Sequence, residues 1–203
     1  MARTPKSSGR RRPAFETDIS RSPGSRPSRD RLLVVCGSQA TESDYLQGLV
    51  NHLETPAVTV RIKNKPSSPS QLIDYAAGER DRAREDFDQV WCVFDVDHFE
   101  VAGAVVEARR KGIEVAVSNP CFELWLILHF GDHSAHAATY RALLPYLKKH
   151  VPGYDKARLD FRDYADGLPQ AGPRARRLAP TGKEHEVNPA TGVWALTDRI
   201  AGR

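Results

Sequence analysis

Four short apolar runs, each followed by a stretch of helical periodicity, constrain this chain more than any other feature. Leu32-Leu33-Val34-Val35-Cys36 is partly β-branched and stops at Gly37-Ser38, as a buried strand does. Tyr45, Leu46, Leu49, Val50 and Leu53 then recur at helical spacing behind Thr41, a candidate N-cap with Asp44 three positions on. Ala57 to Ile62 alternates with period two, Pro66 to Pro69 reads as a loop, and a second helix is expected from Ser70 to about Asp86. Val90-Trp91-Cys92-Val93-Phe94 is the most strand-like run and ends directly in Asp95-Val96-Asp97-His98. A helix over 101–111 and a strand over Glu114-Val115-Ala116-Val117 complete another β-α-β step. Strands alternating with helices predict an α/β fold, with a mostly parallel sheet flanked by helices.

The pattern changes after Ser118-Asn119-Pro120. Cys121 to Phe130 is apolar almost all round, which predicts a buried helix with Pro120 in its first turn. A further helix is expected over 135–150, a weaker one over 155–165, a loop over 167–189 and a last helix over 190–201, making the C-terminal part helical. With 203 residues, of which 40% are hydrophobic, the chain supports one ordinary core.

Charge is unevenly placed. Residues 1–31 hold nine basic and three acidic residues among Ser, Pro and Gly, too little apolar surface to offset the entropy of ordering. They are expected to form a basic, disordered arm preceding a domain over 32–203, with Arg10, Arg11 and Arg12 as candidate contacts to the phosphates of nucleic acid. The cysteines, Cys36, Cys92 and Cys121, are too few and scattered for a disulfide framework or a closed zinc site, and are expected in the core. The sequence contains neither an apolar stretch of membrane-spanning length nor a signal-peptide centre, so a cytoplasmic protein with no membrane association is expected.

Chemistry in an open parallel sheet gathers where loops leave the carboxyl ends of strands. Asp95 and Asp97 stand at such an end with one residue between them, so in extended backbone both carboxylates face one side. Two hard oxygen donors suit Mg²⁺ or Mn²⁺; a solvated loop with a helix cap is the alternative. Glu123 is the one charged residue between Asn119 and Phe130, and either reaches a cation at a cleft or favours the helix dipole. Glu42 opens the helix after the first strand, as a third ligand or again as a dipole partner. His129 and His133, four apart, read as polar helix-end residues rather than ligands. A Walker-type loop, a paired zinc motif and a Gly-x-Ser-x-Gly elbow are all absent from the sequence.

The order of Cys36-x-x-x-x-Thr41-Glu42-x-x-Tyr45, a later Phe94-Asp95-x-Asp97, and Ser118-Asn119-Pro120-Cys121-Phe122-Glu123-Leu124-Trp125 resembles the RloB family, with Asn188 to Val193 matching its closing helix. That family is found beside restriction and phage-defence loci and is similar to Toprim-fold nucleases. The resemblance implies a Toprim/Rossmann-like sheet and a metal-dependent nuclease acting on phosphodiesters in DNA or RNA. Asp95 and Asp97 would then hold Mg²⁺ or Mn²⁺, with Glu123 as an acid of the same pocket, while Glu42 is a candidate catalytic acid on its own position rather than by the family's pattern. It also implies nucleic acid as a partner, with a companion ATPase or restriction-system protein and a homodimer as candidate associations. Most relatives carry Glu-Gly after the first strand's Cys; Gly37-Ser38 stands here. A catalytically degenerate binding subunit of a defence complex is therefore the alternative.

Overall fold

In the computed structural model, which describes residues 29–83, 85–96 and 101–203, the alternating pattern becomes a five-stranded sheet of order β2-β1-β3-β4-β5. The strands are β1 (Arg31–Cys36), β2 (Thr59–Asn64), β3 (Gln89–Asp95), β4 (Glu114–Asn119) and β5 (Ala190–Thr191). The first four run parallel and only the two-residue β5 is antiparallel, so the fold is α/β with a mostly parallel sheet. Its described helices are α1 (Thr41–His52), α2 (Pro69–Arg82), α3 (Ala102–Arg110), α4 (Glu123–Ile127), α5 (Tyr140–His150), α6 (Leu168–Arg176) and α7 (Val193–Ala201).

Successive side chains of a strand face opposite sides of a sheet, and this divides the core in two. Leu32, Val34, Cys36, Trp91 and Val93 point to the side covered by α1 and the C-terminal helices α4 to α7. Leu33, Val35, Val90, Cys92 and Phe94 point to the side covered by α2 and α3. β1 and β3 are buried on both faces, which explains why they read as unbroken apolar runs. The three cysteines are free and buried, as their apolar surroundings suggest.

Several local expectations are corrected. Thr41 is the first residue of α1 rather than its cap; its hydroxyl donates to the Lys156 carbonyl at 2.8 Å, a tertiary bond that replaces a capping box. α2 starts one residue earlier than expected, with Pro69 in its first turn and the Ser68 N–H donating to Gln71 Oε1 at 3.3 Å. The helix expected over 135–150 begins only at Tyr140. Asn188 holds the preceding segment by accepting from the Ala137 N–H at 3.0 Å and donating to its carbonyl at 2.9 Å, so neither group is free for a helix. Residues 155–165 contain a 3-10 turn, Phe161–Asp163, instead of an α-helix. Conversely, α6 occupies part of the expected loop, burying Leu168, Ala171, Gly172 and Ala175 in one stripe. The last helix is shortened because Ala190 and Thr191 pair with β4. Among the described residues no helix is long and apolar enough to cross a membrane.

Candidate functional site

The carboxyl ends of β1, β3 and β4 lie side by side, with Cys36 in register with Val93 and Asp95 with Ser118. Gly37 continues the ladder by donating to the Val93 carbonyl at 2.8 Å, and the Val96 N–H donates to Ser118 at 2.9 Å. A β-carbon at position 37 would stand 3.3 Å from the Val93 carbonyl oxygen and 3.4 Å from Phe94 Cβ, on the α2 side of the sheet. Alternation puts Asp95 on the opposite side, that of Trp91 and Val93, where α1 and α4 pack.

Glu42 is carried to this rim by the first turn of α1 and Glu123 by the first turn of α4. Both are almost wholly buried, at 2% and 0% exposure. Glu123 is rooted by what surrounds it: Leu124, Trp125, Leu126 and Ile127 are all buried, so α4 has no wet face to which the carboxylate could turn. Its Oε1 accepts from the Tyr154 hydroxyl at 2.8 Å and faces the Lys156 ammonium at 3.4 Å. Its Oε2 has no hydrogen-bond partner, and neither does Glu42 Oε2. Two buried carboxylate oxygens without donors are costly unless a cation or proton satisfies them.

Electrostatics tie the groups together. Burial pushes the Glu42 carboxyl up, to about 7; its own backbone N–H and Lys156 oppose that, and Glu123 adds to it. Burial raises the Cys121 thiol well above its usual range, reinforced by Glu123 and Asp95. Burial alone would lower the Lys156 ammonium, but Glu123, Asp95, Cys121 and Glu42 outweigh it and raise its pKa. One ammonium thus feels three acids that are 53 and 28 residues apart along the chain.

The sequence singles out Glu42, Asp95 and Glu123 and gives no sign of Tyr154 or Lys156. They sit in an irregular segment between α5 and the first 3-10 turn, where no periodicity marks them; only tertiary contact brings them to the rim. Asp97, Arg10, Arg11 and Arg12 lie outside the described residues. His129 and His133 follow the end of α4 and are both buried. His129 Nδ1 faces the Trp125 carbonyl at 2.9 Å, which fixes its proton there and leaves Nε2 to accept from the Tyr45 hydroxyl, also at 2.9 Å.

A metal is tested here by the donors. Among the described residues no three His, Cys, Asp or Glu side chains are arranged to hold an ion by themselves. Mg²⁺ does not require that: it commonly keeps several waters and takes one or two carboxylates. The hard, unpartnered oxygens of Glu42 and Glu123 fit that pattern.

A family model described as RloB-like protein matches residues 32–200. No curated protein and no solved structure matches the chain.

Proposed function

The chain belongs to the RloB-like protein family, and on that premise we propose that it is a metal-dependent nuclease acting on phosphodiesters of DNA or RNA, in defence against phage. The observation that carries this reading is the meeting of Glu42, Asp95 and Glu123 at one rim of the sheet, two of them with buried, unpartnered oxygens. Mg²⁺ or Mn²⁺ bound there would polarise a phosphoryl oxygen and acidify water. Asp95, Asp97 and Glu123 are the proposed holders of the ion. Tyr154 fixes one oxygen of Glu123 and so leaves the other to face the pocket. Glu42, raised to about 7, is suited to accept a proton from an attacking water near neutral pH and to release it afterwards. Arg10, Arg11 and Arg12 would add attraction to phosphate that is independent of sequence.

The test is divalent-dependent nicking of plasmid DNA and of structured RNA by the wild type and by Asp95→Asn. The reading expects cleavage by the wild type and its loss in the variant at unchanged melting temperature. Equal cleavage by both would refute the assignment.

Gly37 motivates a second reading, a binding subunit in which the pocket positions phosphate without hydrolysing it. In that case nucleic acid binds in Mg²⁺ and Mn²⁺ but is never turned over.

A further inference from the structure

Lys156 is placed unusually for a residue on an irregular segment. Its backbone is fixed from below, because the buried Thr41 hydroxyl donates to its carbonyl at 2.8 Å. Two residues earlier, Tyr154 is fixed to Glu123. The segment therefore lies as a strap across the acidic rim, tied to α1 at one point and to α4 at another. From it the Lys156 side chain, 48% exposed, reaches the fully buried Glu123 carboxylate at 3.4 Å, with the Tyr140 ring 4.9 Å from its nitrogen. Its root is held and its head is loosely held. The ammonium stands 3.4 Å from Glu123 without a short hydrogen bond, and only the lysine end of the pair reaches solvent.

A divalent cation drawn to the free oxygen of Glu123, beside Glu42, would meet this ammonium. Two positive charges a few ångströms apart in a partly buried site repel strongly. The flexible four-carbon stem of Lys156 gives the ammonium an outward path without disturbing the strap's anchors. We propose that Lys156 is the resident counter-ion of the Glu42–Asp95–Glu123 pocket, seated on Glu123 when no divalent cation is bound and displaced from it when one binds.

The device rests on the metal-binding reading given above and deepens it. An ammonium that leaves Glu123 as the cation arrives makes the empty pocket tolerable, since three acids would otherwise share it uncompensated. It also sets the affinity for divalent ions below what the carboxylates alone would give, so that occupancy depends on the free ion concentration.

The experiment is a Mn²⁺ titration of the full chain, followed by the paramagnetic resonance of the free ion at constant ionic strength. The proteins are wild type, Lys156→Met, Lys156→Arg and Glu123→Gln. Lys156→Met should bind Mn²⁺ about tenfold more tightly than wild type, the direction that removal of a competing charge dictates. Lys156→Arg should bind several-fold more weakly, because the guanidinium fork grips a carboxylate in two places. A role limited to holding the strap would instead lower melting temperature and leave Mn²⁺ affinity equal or reduced in both lysine variants, and that result would overturn the inference. If Lys156→Met fails to fold, the Arg variant still decides, since an affinity equal to or above wild type contradicts the proposal. Binding by wild type that Glu123→Gln abolishes, together with unchanged affinity in both lysine variants, would sink the counter-ion and leave the metal centre standing. Absence of Mn²⁺ binding in every protein would sink both.

Discussion

At the scale of single residues, His129 gives folding a definite pH dependence. Burial holds its imidazole well below the ordinary value of 6.5, at about 4, against the opposing pull of the Trp125 and Leu126 carbonyls. Its folded pKa is depressed, so the contribution is fully present above pH 6.5 and is lost as pH falls through about 4. The whole shift corresponds to roughly 3 kcal/mol. Urea midpoints between pH 7 and 4 should fall for the wild type, and the fall should be smaller in His129→Gln; parallel profiles would contradict this. Glu42 has the opposite sign. Its folded value is raised from 4.5 to about 7, so the protein loses stability as pH rises through that interval. Glu42→Gln should therefore gain on the wild type between pH 4.5 and 7 by up to about 3 kcal/mol, read from the same midpoints. If the variant falls further behind at pH 7 than at pH 5, the buried carboxylate is being satisfied by something other than a proton.

At the scale of elements, close approach decides where chain segments can lie. Gly48 on α1 gives Phe161 its seat: an added β-carbon would come within 2.2 Å of Phe161 Cβ. Gly48→Ala should cost about 1–3 kcal/mol through overpacking, seen as a lower melting temperature. A neutral substitution would mean that the 3-10 turn moves freely over the helix. The parallel strands were readable because burial on both faces writes them as continuous apolar runs, as in 32–36 and 90–94. α6 was not readable. Pro169, Gly172 and Pro173 look like loop residues, and only the packed stripe of Leu168, Ala171 and Ala175 makes the segment helical. Residues 135–139 failed in the other direction, since the Asn188 side chain takes the backbone groups of Ala137 that a helix would have used.

At the scale of the whole molecule, the site is legible in part for the same reason as the sheet. Strand ends in a parallel sheet share one rim, so Glu42, Asp95 and Glu123 were identifiable as acids following or near such ends. Tyr154 and Lys156 were not, because a return of the chain 27 and 29 residues after the end of α4 depends on tertiary packing rather than on local pattern. The charge distribution adds a second expectation. Nine of the 30 Lys and Arg residues lie within the first 31 positions. If they serve nucleic acid, deleting residues 1–28, which stops short of β1, should weaken binding chiefly at low salt and flatten the dependence of affinity on salt. Identical salt slopes with and without those residues would refute that role.

On the proposed function, acids distant in sequence form one cation-binding pocket at the carboxyl edge of the sheet. Crystals of the protein soaked in Mn²⁺ and measured at the manganese edge test it most directly. An anomalous peak is expected within about 2–2.5 Å of carboxylate oxygens of Asp95 and Glu123, with the Lys156 ammonium moved off Glu123. A rim without anomalous density at saturating Mn²⁺, or a peak held only by surface carboxylates elsewhere, would contradict it.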